Sequence, residues 1–397
     1  MNNEKLSIAK SANAFWRRSG GKGYIMNARE RYINTMSFKA VDRIPNYELG
    51  VWGQTYQRWL DEGAREEDIK GDWFRGEPKA AELDRREYIK LKFDPLPGLH
   101  KVIEETERYI VYIDNWGQTR RGLKEGEVRG TRMSMDTFMD FYVKTRVDFL
   151  EFKKHFDSKL PERYPADWEK KKIEWKKRDF PLYLCDNCGF AGLYWNLREM
   201  MGTERLSYAF YDQPELVHEI LDFFVEYFMQ VTEKALNEVE IDTFICNEDF
   251  ACKSGPLLSP ATYREFFLPR HKQMFNFVKS KGVKFIELDS DGNIEPLIPL
   301  IIEAGATCIW PLEGAAGMDP VKVRKEYGKD VALIGGIDKR KLFGNKRMID
   351  EELEKKLLPL REEGGYIPTI DHTISPEVSY ENFKYYIERK KKLLQTM

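Results

Sequence analysis

The fold of this chain is decided by residues 283–293, which read VKFIELDSDGN. The first half is a short apolar run typical of a buried parallel strand, and the second half carries the carboxylates Asp289 and Asp291. A second stretch has the same form, because GYIP at residues 365–368 is followed by Asp371 and His372. In an α/β barrel the carboxyl ends of the strands converge on one face, where the active sites of that fold lie. We therefore predict that these polar residues meet at the mouth of a barrel.

Strands and helices alternate after residue 180. The apolar periodicity predicts strands at 182–184, 241–246, 283–288, 307–310, 331–334 and 366–370, and helices at 214–237, 294–303, 319–327, 346–363 and 379–394. Glycine, the usual residue at a helix C-terminus, follows several of these helices. About six such units favour an α/β fold of the (β/α)8 TIM barrel type over a doubly wound sheet. Neither a dinucleotide fingerprint nor a phosphate loop supports nucleotide binding.

The predicted organisation is a single barrel domain at residues 26–397 behind a polar N-terminal arm at residues 1–25. A helix at 27–37 precedes the first expected barrel strand at 44–49. Residues 51–180 are the least regular part and contain a predicted hairpin at 109–121 and a charged helix at 160–178. We interpret this stretch as an inserted hairpin and helical lid on the barrel.

Composition excludes several classes of partner. The net charge is −2 with 33% charged residues of interleaved sign, so no nucleic acid is expected to bind. No run approaches the ~18 apolar residues that span a bilayer, so no membrane is expected either. The first residues lack a secretory signal and the five cysteines are dispersed, which predicts a reduced, cytoplasmic protein. No heptad or apolar stripe indicates an oligomeric state.

Several motifs resemble the uroporphyrinogen decarboxylase superfamily. They lie at residues 247–250, 253–260, 288–294, 316–319, 334–340, 364–368 and 371–372, and the stretch from 29 to 45 is similar to the opening of that family. The resemblance spans most of the chain and implies a (β/α)8 barrel. It also implies one of two chemistries.

One chemistry is decarboxylation of a porphyrinogen without a metal. Members with that activity carry an Arg-rich segment after the first strand to grip substrate carboxylates, but residues 48–53 read ELGVWG and contain no arginine. The other chemistry is methyl transfer to a corrinoid. Its thiol-methylating members bind zinc through His-x-Cys-Gly-Asn and a later cysteine, positions that fall here on Asp289, Asp291 and His372. Oxygen and nitrogen ligands suit a harder centre that acts on oxygen.

The chain resembles, in this respect, the methyltransferase I subunits of anaerobic O-demethylases. The resemblance implies a small methoxylated, aromatic substrate and a corrinoid (cobalamin) carried by a partner protein, since no cobalamin-binding Asp-x-His-x-x-Gly motif occurs here. It implies that Zn²⁺ or a similar divalent metal activates the ether oxygen. The predicted metal ligands are Asp289, Asp291 and His372.

Further site residues are predicted from their positions near strand ends. Glu248 is a candidate fourth ligand or general acid, and Asp371 is a candidate to orient His372 or a neighbouring ligand. The predicted substrate contacts are Asn187, Phe190, Asn247, Trp310 and Tyr366.

Simpler interpretations stay open for these residues. Asp-Gly-Asn is an ordinary turn sequence in which Asp289 would cap the next helix, and Glu248 and Asp249 would pair with Lys253 or Arg264. The other histidines, at 100, 155, 218 and 271, are expected on the surface. Two other functions also fit the sequence: a metal-independent decarboxylase of a porphyrinogen or other carboxylated ring, and a non-catalytic corrinoid-protein-binding module.

Overall fold

The computed structural model describes residues 25–132, 134–185 and 191–395. The strands are, in chain order, β1 (Glu87–Ile89), β2 (Lys101–Glu105), β3 (Tyr109–Ile113), β4 (Thr119–Leu123), β5 (Thr137–Asp140), β6 (Leu182–Leu184), β7 (Thr243–Asn247), β8 (Ala251–Cys252), β9 (Gly255–Pro256), β10 (Phe285–Asp289), β11 (Cys308–Trp310), β12 (Ala332–Ile334) and β13 (Tyr366–Ile367).

The helices surround these strands. They are α1 (Ala28–Met36), α2 (Gly53–Asp61), α3 (Glu66–Ile69), α4 (Arg146–Phe152), α5 (Trp168–Trp175), α6 (Leu193–Met201), α7 (Thr203–Asp212), α8 (Pro214–Glu238), α9 (Leu268–Ser280), α10 (Ile298–Ala304), α11 (Pro320–Tyr327), α12 (Lys346–Leu360) and α13 (Tyr380–Leu394). A turn of α-helix at Pro260–Thr262 and a π-helix at Tyr263–Phe267 lead into α9. No helix in the described part of the chain has the length and apolarity to cross a bilayer.

Seven parallel strands form the barrel sheet, in the order β1, β6, β7, β10, β11, β12, β13. The predicted first strand at 44–49 occupies the eighth position, although it forms isolated contacts in place of a continuous ladder. Asp84 donates its N–H to the carbonyl of Asn46 (2.9 Å), and Val51 makes a parallel bridge with Ile374. The prediction of a (β/α)8 barrel is confirmed.

The barrel has two cores because successive side chains of a strand point to opposite faces. Tyr183, Ile245 and Phe285 belong to an inner cluster, whereas their neighbours pack against the helices. The ring of Phe228 on α8, for example, lies 5.0 Å from that of Phe244 on the outer face of β7. The sheet register therefore decides which residues reach the mouth of the barrel and which face the helices.

Helix α1 closes the amino-terminal end of the barrel. Asn27 caps it, and Asn27 and Glu30 together form a capping box. The hydroxyl of Tyr32 donates to Oε1 of Glu287 inside the barrel (2.8 Å), and burial raises the pKa of Glu287 to about 7. The carbonyl of Thr35 accepts the N–H of Gly365, immediately before β13. The opposite, carboxyl end of the barrel is the end that remains available for a site.

The inserted part is smaller than the predicted range 51–180. Strand β1, at 87–89, belongs to the barrel sheet, so the excursion lies between β1 and β6. It contains a four-stranded antiparallel sheet, β2–β3–β4–β5, and the predicted hairpin at 109–121 is its β3–β4 pair. The predicted charged helix at 160–178 is reduced to α5, because residues 161–163 form a 3-10 turn before it.

The inserted sheet is joined to the barrel by Gln118 and Glu199. The side-chain amide of Gln118 donates through Nε2 to both the carboxylate and the carbonyl of Glu199 on α6, each at 2.7 Å. Glu199 is buried, and this burial raises its pKa to about 7. The contact places the inserted sheet beside the first helix after β6.

A buried ion pair joins the last helix, α13, to the first barrel segment at residues 44–49. Lys390 on α13 donates to Oε1 of Glu48 at 2.6 Å, and both side chains are fully buried. Tyr386 donates to the same oxygen (2.6 Å), and the other carboxylate oxygen accepts the N–H of Ile370 (3.0 Å). Glu48 thus links the two chain ends of the barrel.

Lys390→Met is expected to lower the free energy of unfolding by about 3–5 kcal/mol, because it leaves the Glu48 carboxylate buried without its cation. Urea unfolding monitored by circular dichroism measures this change. Lys392→Met is the matched control, since Lys392 pairs with Glu388 on the exposed side of the same helix and exposed pairs contribute about 0–1 kcal/mol. Equal, small effects of both substitutions would contradict the proposed role of the buried pair.

Glu199→Gln is expected to flatten the pH dependence of stability. A carboxyl group whose pKa rises from 4.5 to about 7 on folding holds its proton more tightly in the folded state. Its stabilising contribution is complete below pH 4.5 and is lost as the pH rises through 7, a change of about 3 kcal/mol. Measured from pH 4.5 to 8, the free energy of unfolding of the unchanged protein should fall by about 3 kcal/mol relative to that of the variant. Parallel curves would show that Glu199 does not carry this effect.

Candidate functional site

Two of the predicted metal ligands meet at the mouth of the barrel. Asp291 lies two residues beyond the end of β10 and His372 lies beyond β13, and Oδ2 of Asp291 is 3.3 Å from Nε2 of His372. Gly292 follows Asp291 and lets the chain turn sharply beside the loop at residues 251 and 252. Its φ is +81°, and a Cβ atom there would lie 2.7 Å from backbone atoms of residues 251 and 252.

The imidazole of His372 has one nitrogen that points to Asp291 and one without a partner. Nδ1 is buried and accepts or donates no hydrogen bond within the described part of the chain. The hydrogen bond to Asp291 raises the pKa of His372 above its usual value. A buried ring nitrogen without a partner is costly, so a further hydrogen-bonding group is expected to meet Nδ1.

Two further carboxylates lie near Asp291. Asp291 donates its N–H to Oδ1 of Asp249 (3.2 Å), and Asp289 lies at the end of β10. Burial, with the added charges of Asp249 and Asp291, raises the pKa of Asp289 well above its usual range. The pKa of Asp249 is likewise raised by burial and by Asp291. Arg198 is the described guanidinium that offsets this charge, at 3.6 Å from Asp249. The site therefore favours a cation.

Asp289 and Asn247 contact each other. The amide of Asn247 donates to Oδ2 of Asp289 at 2.7 Å, and the sheet register aligns the two residues. Both side chains are buried on the inner face of the barrel. The predicted metal ligand Asp289 and the predicted substrate contact Asn247 therefore form one hydrogen-bonded pair of side chains.

Glu248 points away from the mouth, because it follows Asn247 and alternates to the outer face. Its carboxylate accepts the N–H groups of Leu193 (2.9 Å) and Tyr194 (2.6 Å) at the start of α6. It also contacts Nε2 of His271 at 2.5 Å, and Cys246 lies 3.5 Å away. In this position Glu248 stabilises a helix N-terminus, and its catalytic role stays a prediction.

The prediction that His271 lies on the surface is wrong. The residue is fully buried, and Tyr263 contacts its Nδ1 at 2.8 Å while Glu248 contacts its Nε2. Among the described residues, Cys246, Glu248 and His271 form the group of three whose potential ligand atoms all lie within 4.8 Å of one another. Hydrogen bonds already use both ring nitrogens, so this group is a satisfied buried network.

Asp371 organises loops of the mouth. It is fully buried, and its two oxygens accept the N–H groups of Gly314 (2.9 Å) and Lys339 (3.1 Å), in the loops after β11 and β12. Burial raises its pKa to about 6. The predicted contact with His372 is replaced by these backbone contacts, so Asp371 positions the neighbouring loops.

The predicted substrate residues lie in different places. Trp310 belongs to the inner cluster at the register of Asp289, and its indole N–H is buried with no acceptor in the described chain. Tyr366 alternates to the outer face and donates to the carbonyl of Gly335 at 3.0 Å. Asn187 and Phe190 lie outside the described residues. Trp310 is the member of this group that is placed to donate to a ligand.

Two acidic residues of the mouth are absent from the predicted site residues. Asp249 lies two residues beyond the end of β7, as Asp291 lies two residues beyond the end of β10, and this equal spacing is the sequence signal for it. Glu313 follows β11, and its carboxylate accepts the N–H of Gly292 at 2.9 Å. Both residues hold the loop that carries Asp291.

Comparison with known proteins agrees with this architecture. The family model for uroporphyrinogen decarboxylase (URO-D) matches residues 188–393. The chain belongs to the uroporphyrinogen decarboxylase family. Uroporphyrinogen decarboxylase of Chlorobium limicola is 28% identical over 220 residues, which is 50% of this chain and 58% of that protein. The enzyme of Danio rerio is 27% identical over 221 residues, 50% of this chain and 55% of that protein.

A solved structure shares the same fold. The methyltransferase from Methanosarcina mazei superposes with a TM-score of 0.61 over 92% of this chain and 99% of its own, at 16% sequence identity. The matches to the decarboxylases cover less than two thirds of those proteins, and the structural match is distant in sequence. The comparisons therefore establish the family and its barrel.

Proposed function

We propose that this member of the uroporphyrinogen decarboxylase family is a methyltransferase. It takes the methyl group of a methoxylated aromatic compound and passes it to the Co(I) corrinoid of a partner protein, with a divalent metal ion, Zn²⁺ or a similar ion, at the mouth of the barrel. The observation that supports this most is the pair of Asp291 and His372 at the mouth of the barrel, with Oδ2 of Asp291 3.3 Å from Nε2 of His372.

The residues present fit a metal ion. Two ligands held ~2.0–2.1 Å from a tetrahedral zinc ion lie ~3.3–3.4 Å from each other, which matches the separation of Asp291 and His372. Asp289 does not join them in a group of three ligand atoms within 4.8 Å of one another, so among the described residues two of the three predicted ligands are brought together. Its raised pKa reflects burial and the nearby charges of Asp249 and Asp291. Carboxylate oxygen and imidazole nitrogen form a harder ligand set than thiolates, which suits a reaction at oxygen.

The reaction needs help at the leaving group, since phenoxide departs poorly from carbon. The bound ion would supply Lewis acidity that stabilises the negative charge on the departing oxygen. In the transfer, the methyl carbon leaves the ether oxygen, which keeps the bonding electrons, and forms a bond to cobalt; the phenolate then takes a proton from water. Trp310 presents an indole N–H for a substrate acceptor, and Asp371 and Glu313 hold the surrounding loops.

A metal-independent decarboxylase is the second candidate, because the named relatives at 27–28% identity are uroporphyrinogen decarboxylases. Two features oppose it. Glu48, in the segment where an Arg cluster is expected, is turned outward to Lys390. The mouth carries Asp249, Asp289 and Asp291, and these carboxylates would repel a ring that bears several carboxylates.

His372→Ala is expected to weaken zinc binding at least about hundredfold, because it removes a ligand. Competition with a chromophoric chelator measures the affinity of protein purified without added metal. His218→Ala is the matched control, since His218 lies on α8 beside Glu265 and away from the mouth. Retention of full zinc affinity by the His372 variant would contradict the metal site.

Methyl transfer from 2-methoxyphenol to a reduced corrinoid protein is expected with the unchanged protein. The rate should fall at least about hundredfold in Asp291→Asn, because a neutral amide is a poor ligand for a hard cation. The absorbance change of the corrinoid on methylation reports the rate. Metal-free protein that releases CO₂ from a porphyrinogen at an undiminished rate would instead establish the decarboxylase.

A further inference from the structure

A cavity of about 540 Å³ lies between the inserted sheet and helix α6. Volumes of about 300–1,000 Å³ are typical of sites for small organic ligands. Residues from both sides form its walls, among them Trp116, Arg120, Phe138, Trp195, Arg198 and Glu199. The barrel alone does not form this cavity, because three of these residues belong to the insertion.

Each wall carries an aromatic ring covered by a guanidinium group. Arg120 lies over the ring of Phe138, with 4.7 Å to its centroid, on the inserted sheet. Arg198 lies over the ring of Trp195, with 4.6 Å to its centroid, on α6. Phe138 is 42% exposed although it is apolar, and Trp195 is half-buried. Phe138 also stacks on Phe141, with 5.9 Å between the ring centroids. The remaining apolar surface of the two rings suits edge-to-face or offset contact with an aromatic ring.

The cavity is connected to the mouth of the barrel by direct contacts. Arg198, which lines the cavity, donates to the carbonyl of Asp249 at 3.0 Å and lies 3.6 Å from its carboxylate. Asp249 accepts the N–H of Asp291, and Asp291 contacts His372. Gly192 makes this proximity possible, because a Cβ atom there would lie 1.6 Å from the carbonyl oxygen of Asn247. Helix α6 therefore begins directly against the end of β7.

The charges of the cavity are already balanced among themselves. Arg120 is 2.8 Å from Asp114, and Arg198 contacts Asp249. Glu199 accepts the amide of Gln118, and its pKa of about 7 makes it able to donate or accept a hydrogen bond near neutral pH. An anionic ligand would have to displace a carboxylate from its guanidinium. A neutral ring with hydroxyl or methoxy groups meets no such penalty.

We propose that this cavity binds the methyl donor's aromatic ring, and that it selects neutral methoxyphenols over methoxybenzoates. The inference rests on the proposed function for its choice of donor. Trp195 and Phe138 pack against the ring, Glu199 contacts a hydroxyl substituent, and the Arg198–Asp249 contact couples the occupied cavity to the loop of Asp291. The insertion is then the part of the chain that determines the substrate.

Isothermal titration calorimetry with 2-methoxyphenol and 2-methoxybenzoate tests this without a corrinoid. The unchanged protein should bind 2-methoxyphenol at least about tenfold more tightly than 2-methoxybenzoate. Trp195→Ala and Phe138→Ala should each weaken binding of 2-methoxyphenol about tenfold, whereas Trp195→Phe, which keeps an aromatic face, should stay within about threefold. Tyr211→Ala is the matched control, because Tyr211 is a 77% exposed aromatic residue on α7 that does not line the cavity.

The outcomes separate this inference from the proposed function. Unchanged affinity in both alanine variants, tighter binding of 2-methoxybenzoate, or no binding of 2-methoxyphenol would each overturn the cavity assignment. Methyl transfer that persists in such a case leaves the proposed function intact. Conversely, binding that depends on Trp195 and Phe138 in a protein that transfers no methyl group supports the cavity and removes the proposed function. Circular dichroism spectra and zinc content should be the same in all variants.

Discussion

The register of the parallel strands is the constraint on which the site depends. Asn247, Asp289 and Trp310 are neighbours across β7, β10 and β11, and all three side chains point into the barrel. Because side chains alternate along a strand, a shift of one residue in any of these pairings would exchange the inner and outer sets. The same alternation turns Glu248 to the outer face, where it holds the start of α6.

Charge is distributed unevenly inside this framework. Along the inside of β10, Glu287 meets the hydroxyl of Tyr32, whereas Asp289 and the nearby Asp291 face other carboxylates. Burial of like charges opposes folding unless a cation or protons offset them. Burial and excess negative charge raise the pKa values of Asp249 and Asp289, and Nδ1 of His372 lacks a partner in the described chain. A bound cation would offset this negative charge.

The insertion adds a second surface beside the mouth of the barrel. Its sheet would be an exposed element on its own, but Gln118 attaches it to Glu199 on α6 and closes a cavity beside the mouth. Helix α6 contributes to both places, since Arg198 lines the cavity and contacts Asp249. In our proposal this cavity lets a member of the family bind a ring smaller than a porphyrinogen, with the barrel geometry left in place.

The amino-acid sequence by itself determined the barrel, most of its strand and helix positions, and the candidate pair of Asp291 and His372. These follow from local patterns: buried apolar runs, helix caps and polar residues directly after strands. Only the tertiary structure decided that Glu248 and Tyr366 face the helices, that His271 is buried, and that Asp249, Glu313 and Arg198 surround Asp291. The face that a side chain occupies depends on register between strands distant in sequence, and a cavity depends on which surfaces pack together, so neither is encoded in any single stretch of the chain.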